Sequence, residues 1–94
     1  MNLMNNLLQD KVVVVSGVGP GLGRTLAVRC AQQGAAVVLA ARTASRLDDV
    51  AKEISDLGGQ ALTVATDITD HASAEALVGA SLDAFGRVDA LVNN

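Results

Sequence analysis

Gly17, Gly21 and Gly23 lie within "SGVGPGLGR" at residues 16–24, together with Gly19 and Pro20. Bare backbone just ahead of a helix suits one kind of chemistry. It lets the first N–H groups of the helix, and the positive end of its dipole, close on an anion such as a phosphate. Arg42 is a second candidate, because a guanidinium can grip a phosphate through two hydrogen bonds at once. Asp67 in "TDIT" (66–69) and Asn94 in "LVNN" (91–94) are further polar groups at the ends of apolar runs. The one histidine, His71, opens a polar helix turn and reads as solvated. The one cysteine, Cys30, reads as a small apolar helix residue.

The elements that must position these groups alternate along the chain. "KVVVVSG" (11–17) is short, β-branched and closed by glycine, so it predicts a buried strand. Residues 21–33 predict a helix with Leu22, Leu26, Cys30 and Gln33 in one row, Ala27 and Val28 nearby, and Gly34 as its stop. "AAVVLAA" (35–41) predicts a second strand. Residues 44–57 predict a helix whose apolar stripe is Leu47, Val50, Ala51, Ile54 and Leu57. "QALTVAT" (60–66) predicts a third strand. Thr69 is the expected N-cap of a helix over 70–85, with Ala74, Leu77, Val78, Ser81 and Phe85 facing inward. "VDALVNN" (88–94) predicts a fourth strand. Strands apolar on both faces, alternating with helices, predict an α/β fold. Right-handed crossovers make it a doubly wound parallel sheet of the Rossmann type, in three αβα layers.

The glycine spacing narrows the ligand. The dinucleotide pattern G-x-G-x-x-G fails from Gly19, where Arg24 replaces the last glycine, and from Gly17, where Leu22 does. The P-loop pattern also fails, since Val18 stands at its first glycine and Arg24 at its lysine. G-x-x-x-G-x-G fits, with Gly17, Gly21 and Gly23. Gly17 turns the chain off the strand, Gly21 gives a pyrophosphate room, and Gly23 lets the helix pack on the sheet. An NAD site carries an acid at the end of its second strand, for the ribose hydroxyls. Here Ala41 is followed by Arg42, which suits the 2′-phosphate of NADP.

The bulk composition excludes other classes. The chain has 94 residues, half of them apolar, with one Phe and no Trp or Tyr. Net charge is −3, and no basic stripe with interleaved aromatics suggests nucleic-acid binding. No apolar run is long enough to span a bilayer. A lone cysteine cannot close an internal disulfide, so a reducing cytoplasm is the expected setting.

With these residues placed, the chain resembles the N-terminal part of a short-chain dehydrogenase/reductase. "SGVGPGLGR" is similar to that family's T-G-x-x-x-G-x-G, with Ser16 for Thr. "TDIT" follows the third strand, and "LVNN" resembles the start of N-N-A-G. The resemblance runs from Lys11 to Asn94. It implies that Gly17, Val18, Gly19, Pro20, Gly21 and Leu22 line the diphosphate and adenosine ribose of a nicotinamide dinucleotide. It implies that Asp67 meets the adenine amino group, that Ile68 contacts the adenine, and that Asn94 lies near the ribose. The expected cofactor is NADP, with NAD as the alternative, and the expected substrate is a small carbonyl compound or secondary alcohol. The whole protein is expected to be a homo-oligomer.

The family's Tyr-x-x-x-Lys pair, its Ser and a further Asn come after the N-N-A-G segment. This chain has no tyrosine, so residues 1–94 read as a dinucleotide-binding domain incomplete at its C-terminus, inactive by itself. Two other classes are weighed beside this one. A nucleotide-binding module without catalysis stays open. An AdoMet-dependent methyltransferase is disfavoured, because Ala41-Arg42 offers no acid to the ribose.

Overall fold

The structure, a computed structural model, describes residues 7–18 and 21–93. Seven elements follow in strict alternation: β1 (Val12–Ser16), α1 (Leu22–Gln32), β2 (Ala36–Ala41), α2 (Ala44–Asp56), β3 (Gln60–Ala65), α3 (His71–Phe85) and β4 (Ala90–Asn93). The four strands form one sheet in the order β3-β2-β1-β4. Every neighbouring pair is parallel. The order reverses at β1, which has β2 on one side and β4 on the other.

Strand alternation sorts the side chains into two cores. Val13, Val15, Val37 and Leu39 pack with Ala27, Ala31, Leu47, Val50 and Ile54, so α1 and α2 cover one face. Val12, Val14, Val38 and Ala40 pack with Leu77 and Phe85, so α3 covers the other. The expected three-layer α/β sandwich is present.

The helix faces differ from the expected ones in detail. On α1 the buried residues are Gly23, Ala27 and Ala31, not the row through Leu22, which is 64% exposed. The two rows are adjacent on the helix surface. The row of small side chains lets the helix axis come close to the sheet, so that row wins the interface. Leu57 falls beyond the last turn of α2 and is exposed, outside the expected stripe. On α3, Leu77 and Ser81 are buried, while Val78 faces outward. Ser81 Oγ satisfies itself by donating to the Leu77 carbonyl at 2.7 Å.

Thr69 is not the N-cap of α3. The cap position is Asp70, and the Thr69 hydroxyl is committed to Asp67 instead. At the other end, Gly86 adopts φ +78° and its N–H donates to the Leu82 carbonyl at 2.8 Å. This is the expected left-handed stop.

The entry to β4 is pinned by Asp89. Its N–H donates to the Val12 carbonyl at 2.9 Å, and its carboxylate accepts from the Val12 N–H at 2.8 Å. The Arg87 guanidinium, then the Val12 N–H, hold this carboxyl below the usual carboxylate range.

Gly34 combines a left-handed backbone with a close backbone neighbour. It sits at φ +97°, and a Cβ there would lie 3.1 Å from Gln9 Cα and 3.2 Å from Gln9 N. The segment before β1 is held against this turn by Leu8 N–H, which donates to the Gln33 carbonyl at 2.8 Å. Gly34→Ala is therefore expected to destabilise the fold by about 1–3 kcal/mol, through a left-handed backbone and a backbone clash together. Urea unfolding measures this, and an unchanged midpoint would contradict it.

Candidate dinucleotide site

Parallel strands bring their carboxyl ends to one edge. Ligands of open α/β sheets bind along that edge, near the point where strand order reverses. Here that point is between β1 and β4, where Ser16 is paired with Asn93.

Gly17 leaves β1 with φ +78°, a turn that glycine adopts without strain. The N–H groups of Gly17 and Val18 both donate to the Ala40 carbonyl, at 2.9 and 3.2 Å. The Val18 side chain is buried in the core beneath α1. Gly17 and Val18 thus fix the turn against β2. Phosphate donors would come from the start of α1.

That start is suited to an anion. Gly21 is the N-cap, with no side-chain capping bond, and the first turn holds no acid. The opening amides of a helix have no partner within it. A Cβ added at Gly21 would meet nothing within 4 Å. Gly23 is buried against the sheet, as its expected packing role requires. Arg24 points away, and its Nη2 lies 2.5 Å from Glu53 Oε1 on α2. Leu22 is exposed beside Gly21. Gly19, Pro20 and Asn94 lie outside the described residues.

At the end of β2 the Arg42 side chain is 72% exposed, and its Nη2 lies 3.5 Å from Asp67 Oδ1. Two residues expected from separate motifs are therefore neighbours. The Thr66 N–H donates to the Ala41 carbonyl at 2.8 Å, which carries the β2–β3 pairing just past the strands. Asp67 follows, held by its own segment. Its Oδ1 accepts from the Thr69 hydroxyl at 2.6 Å and from the Thr69 N–H at 3.0 Å. Its N–H donates to Ser73 Oγ at 2.9 Å. The Thr69 hydroxyl, then the Thr69 N–H, hold the Asp67 carboxyl below the usual carboxylate range, and Arg42 adds less. Ile68 is exposed beside it.

Thr69 and Ser73 hold Asp67, and motif reasoning missed both. The available signal was Asp-x-Thr, the pattern of an Asx turn. A hydroxyl in the first turn of the next helix was the other clue.

Other reactive groups stand apart. His71 is exposed and pairs with Glu75 at 2.7 Å. Cys30 is half-buried, and burial pushes its thiol up. A cavity of about 390 Å³ opens at the opposite edge of the sheet, lined by Lys11, Gly34, Gln60 and Arg87 among others. It contains none of the expected site residues. Among the described residues no helix is long and apolar enough to cross a membrane. No group of three or more His, Cys, Asp or Glu among them could hold a metal ion.

Comparison with known proteins decides the family. The family model described as short chain dehydrogenase matches residues 11–94. The chain belongs to the short-chain dehydrogenase family.

An L-rhamnose 1-dehydrogenase (NAD(P)(+)) of Azotobacter vinelandii is 45% identical over 94% of this chain, which covers 36% of that relative. The crystal structure of an Escherichia coli hydroxysteroid dehydrogenase superposes with a TM-score of 0.92 at 38% identity, over 99% of this chain and 40% of the other. A metagenomic short-chain oxidoreductase in complex with NADP gives a TM-score of 0.87 at 39% identity, over 93% of this chain and 39% of the other. The chain thus spans about a third of the length of the curated relatives it matches.

Short-chain dehydrogenases are oxidoreductases that use nicotinamide cofactors. The residues present fit such a group: room at Gly21, a helix start with no side-chain cap, and an exposed guanidinium at the next strand end.

The hydrogen bonds around Asp67 make a specific prediction. Both Thr69 bonds favour the charged carboxylate, so losing the hydroxyl should raise the Asp67 pKa toward its ordinary value. Carbon-detected NMR titration of Thr69→Val checks this. An unshifted Asp67 would show that the hydroxyl does not hold it.

Proposed function

We propose that this chain supplies the dinucleotide-binding part of an NADP-preferring oxidoreductase. The reaction moves a hydride between the nicotinamide ring and a carbonyl compound or secondary alcohol. The bound dinucleotide supplies the hydride chemistry. The residues of this chain bind and orient it. The amides opening α1 at Gly21, Leu22 and Gly23 would take the diphosphate, in a space that no side chain fills. Asp67 and Ile68 would take the adenine, and Asn94 would lie near the ribose. No catalytic residue is assigned within these 94 residues.

One observation carries the NADP preference. The end of β2 presents exposed Arg42 where an acid would hydrogen-bond the ribose of NAD. The relative named for NAD(P)(+) and the similar structure in complex with NADP are consistent with this reading. A reducing, cytoplasmic setting and a homo-oligomeric whole protein belong to the same proposal.

A charge-assisted hydrogen bond to a 2′-phosphate is worth ~1.5–3 kcal/mol. That converts to roughly a 10- to 150-fold preference. Exposure of Arg42 to water and salt favours the low end. Arg42→Ala is expected to weaken NADPH binding by about tenfold and to leave NADH nearly unchanged. Adding Ala41→Asp should then turn the preference toward NADH. Calorimetric titration of both cofactors on the full-length protein checks this. Equal losses for the two cofactors would contradict it.

A further inference from the structure

Arg42 stands at an exposed strand end, on a long side chain with much rotamer freedom to lose. Beside it stands the carboxylate of Asp67, whose Oδ1 lies 3.5 Å from Nη2. That separation is an ion pair too long to be a good hydrogen bond. The same oxygen already accepts two short bonds from Thr69, at 2.6 and 3.0 Å. Asp67 is also fixed through its N–H on Ser73. The carboxylate is therefore a rigid, ionised post, anchored by groups other than Arg42. The guanidinium lies beside it, with Nη2 3.5 Å from Oδ1.

We infer that Asp67 is a positioning residue for Arg42. Its carboxylate keeps the guanidinium beside the end of β2, ready for a 2′-phosphate, and so raises the preference for NADP over NAD. This rests on the reading of Arg42 given above. A competing carboxylate would have to be released before phosphate could bind. The 3.5 Å pair restrains Arg42 through charge attraction while leaving its donors able to turn to a phosphate.

The two roles of Asp67 separate in measurement. Contact with adenine is common to both cofactors and changes both affinities by the same factor. Positioning of Arg42 changes only their ratio. Asp67→Asn keeps an acceptor for Thr69 and removes the charge. Asp67→Ser is a second variant with no acceptor carbonyl, and thermal melts confirm that each is folded.

In the full-length protein, either variant should lower the NADPH-over-NADH binding ratio by about 2- to 10-fold, the worth of ordering one flexible side chain. In an Arg42→Ala background the same changes should no longer lower the ratio, because only the repulsion between the carboxylate and the phosphate is then removed. In the free protein, nitrogen-15 relaxation of the Arg42 side-chain N–H should show greater mobility once Asp67 is replaced. A ratio that stays level or rises, or an Arg42 equally mobile with and without Asp67, overturns the inference. If Arg42→Ala leaves the wild-type ratio unchanged, the NADP reading itself falls, and the inference with it. A ratio that responds to Arg42→Ala but not to Asp67→Asn rejects the positioning role alone.

Discussion

All four strands run in the same direction, and most of what is functional here follows from that constraint. A parallel sheet puts every strand-to-helix turn on one edge, so the turns after β1, β2 and β3 must line up beside each other. A glycine turn, an arginine and an aspartate from distant parts of the chain are thereby assembled along one edge. The same constraint forces both faces of the sheet to be covered. β1 is buried along its whole length and takes α1 and α2 on one side and α3 on the other.

The glycine stretch first serves the sheet. Gly17 turns the chain back so that its N–H and that of Val18 reach the Ala40 carbonyl. Gly23, with Ala27 and Ala31, brings α1 down onto the β1–β2 face. At Gly21 a Cβ would meet nothing within 4 Å, and its carbonyl accepts from the Thr25 N–H at 3.2 Å. Among the described glycines of the motif, Gly17 and Gly23 thus shape the fold, and Gly21 stands clear of neighbours.

Much of this was legible in the residues. Valine runs closed by glycine marked the strands, and spaced apolar residues marked the helices. Less legible was anything set by distance between elements. Whether Leu22 or Gly23 faces the sheet depends on how closely α1 docks, which one helix in isolation does not encode. Thr69 looked like a cap because it precedes a helix, but a carboxylate two residues earlier outcompetes that role. The meeting of Arg42 with Asp67 needed the pairing of β2 with β3, in which Ala41 lies opposite Ala65.

The central claim is that the carboxyl edge, at the turns after β1, β2 and β3, receives the dinucleotide. An NMR titration of NADPH into the isotopically labelled full-length protein tests it most directly. The account predicts saturable shifts at the amides of Gly21, Gly23, Arg42, Asp67 and Ile68. Lys11, Gln60 and Arg87, at the opposite edge, should stay still. Shifts concentrated on Lys11, Gln60 and Arg87, with Gly21 and Asp67 unmoved, would contradict it.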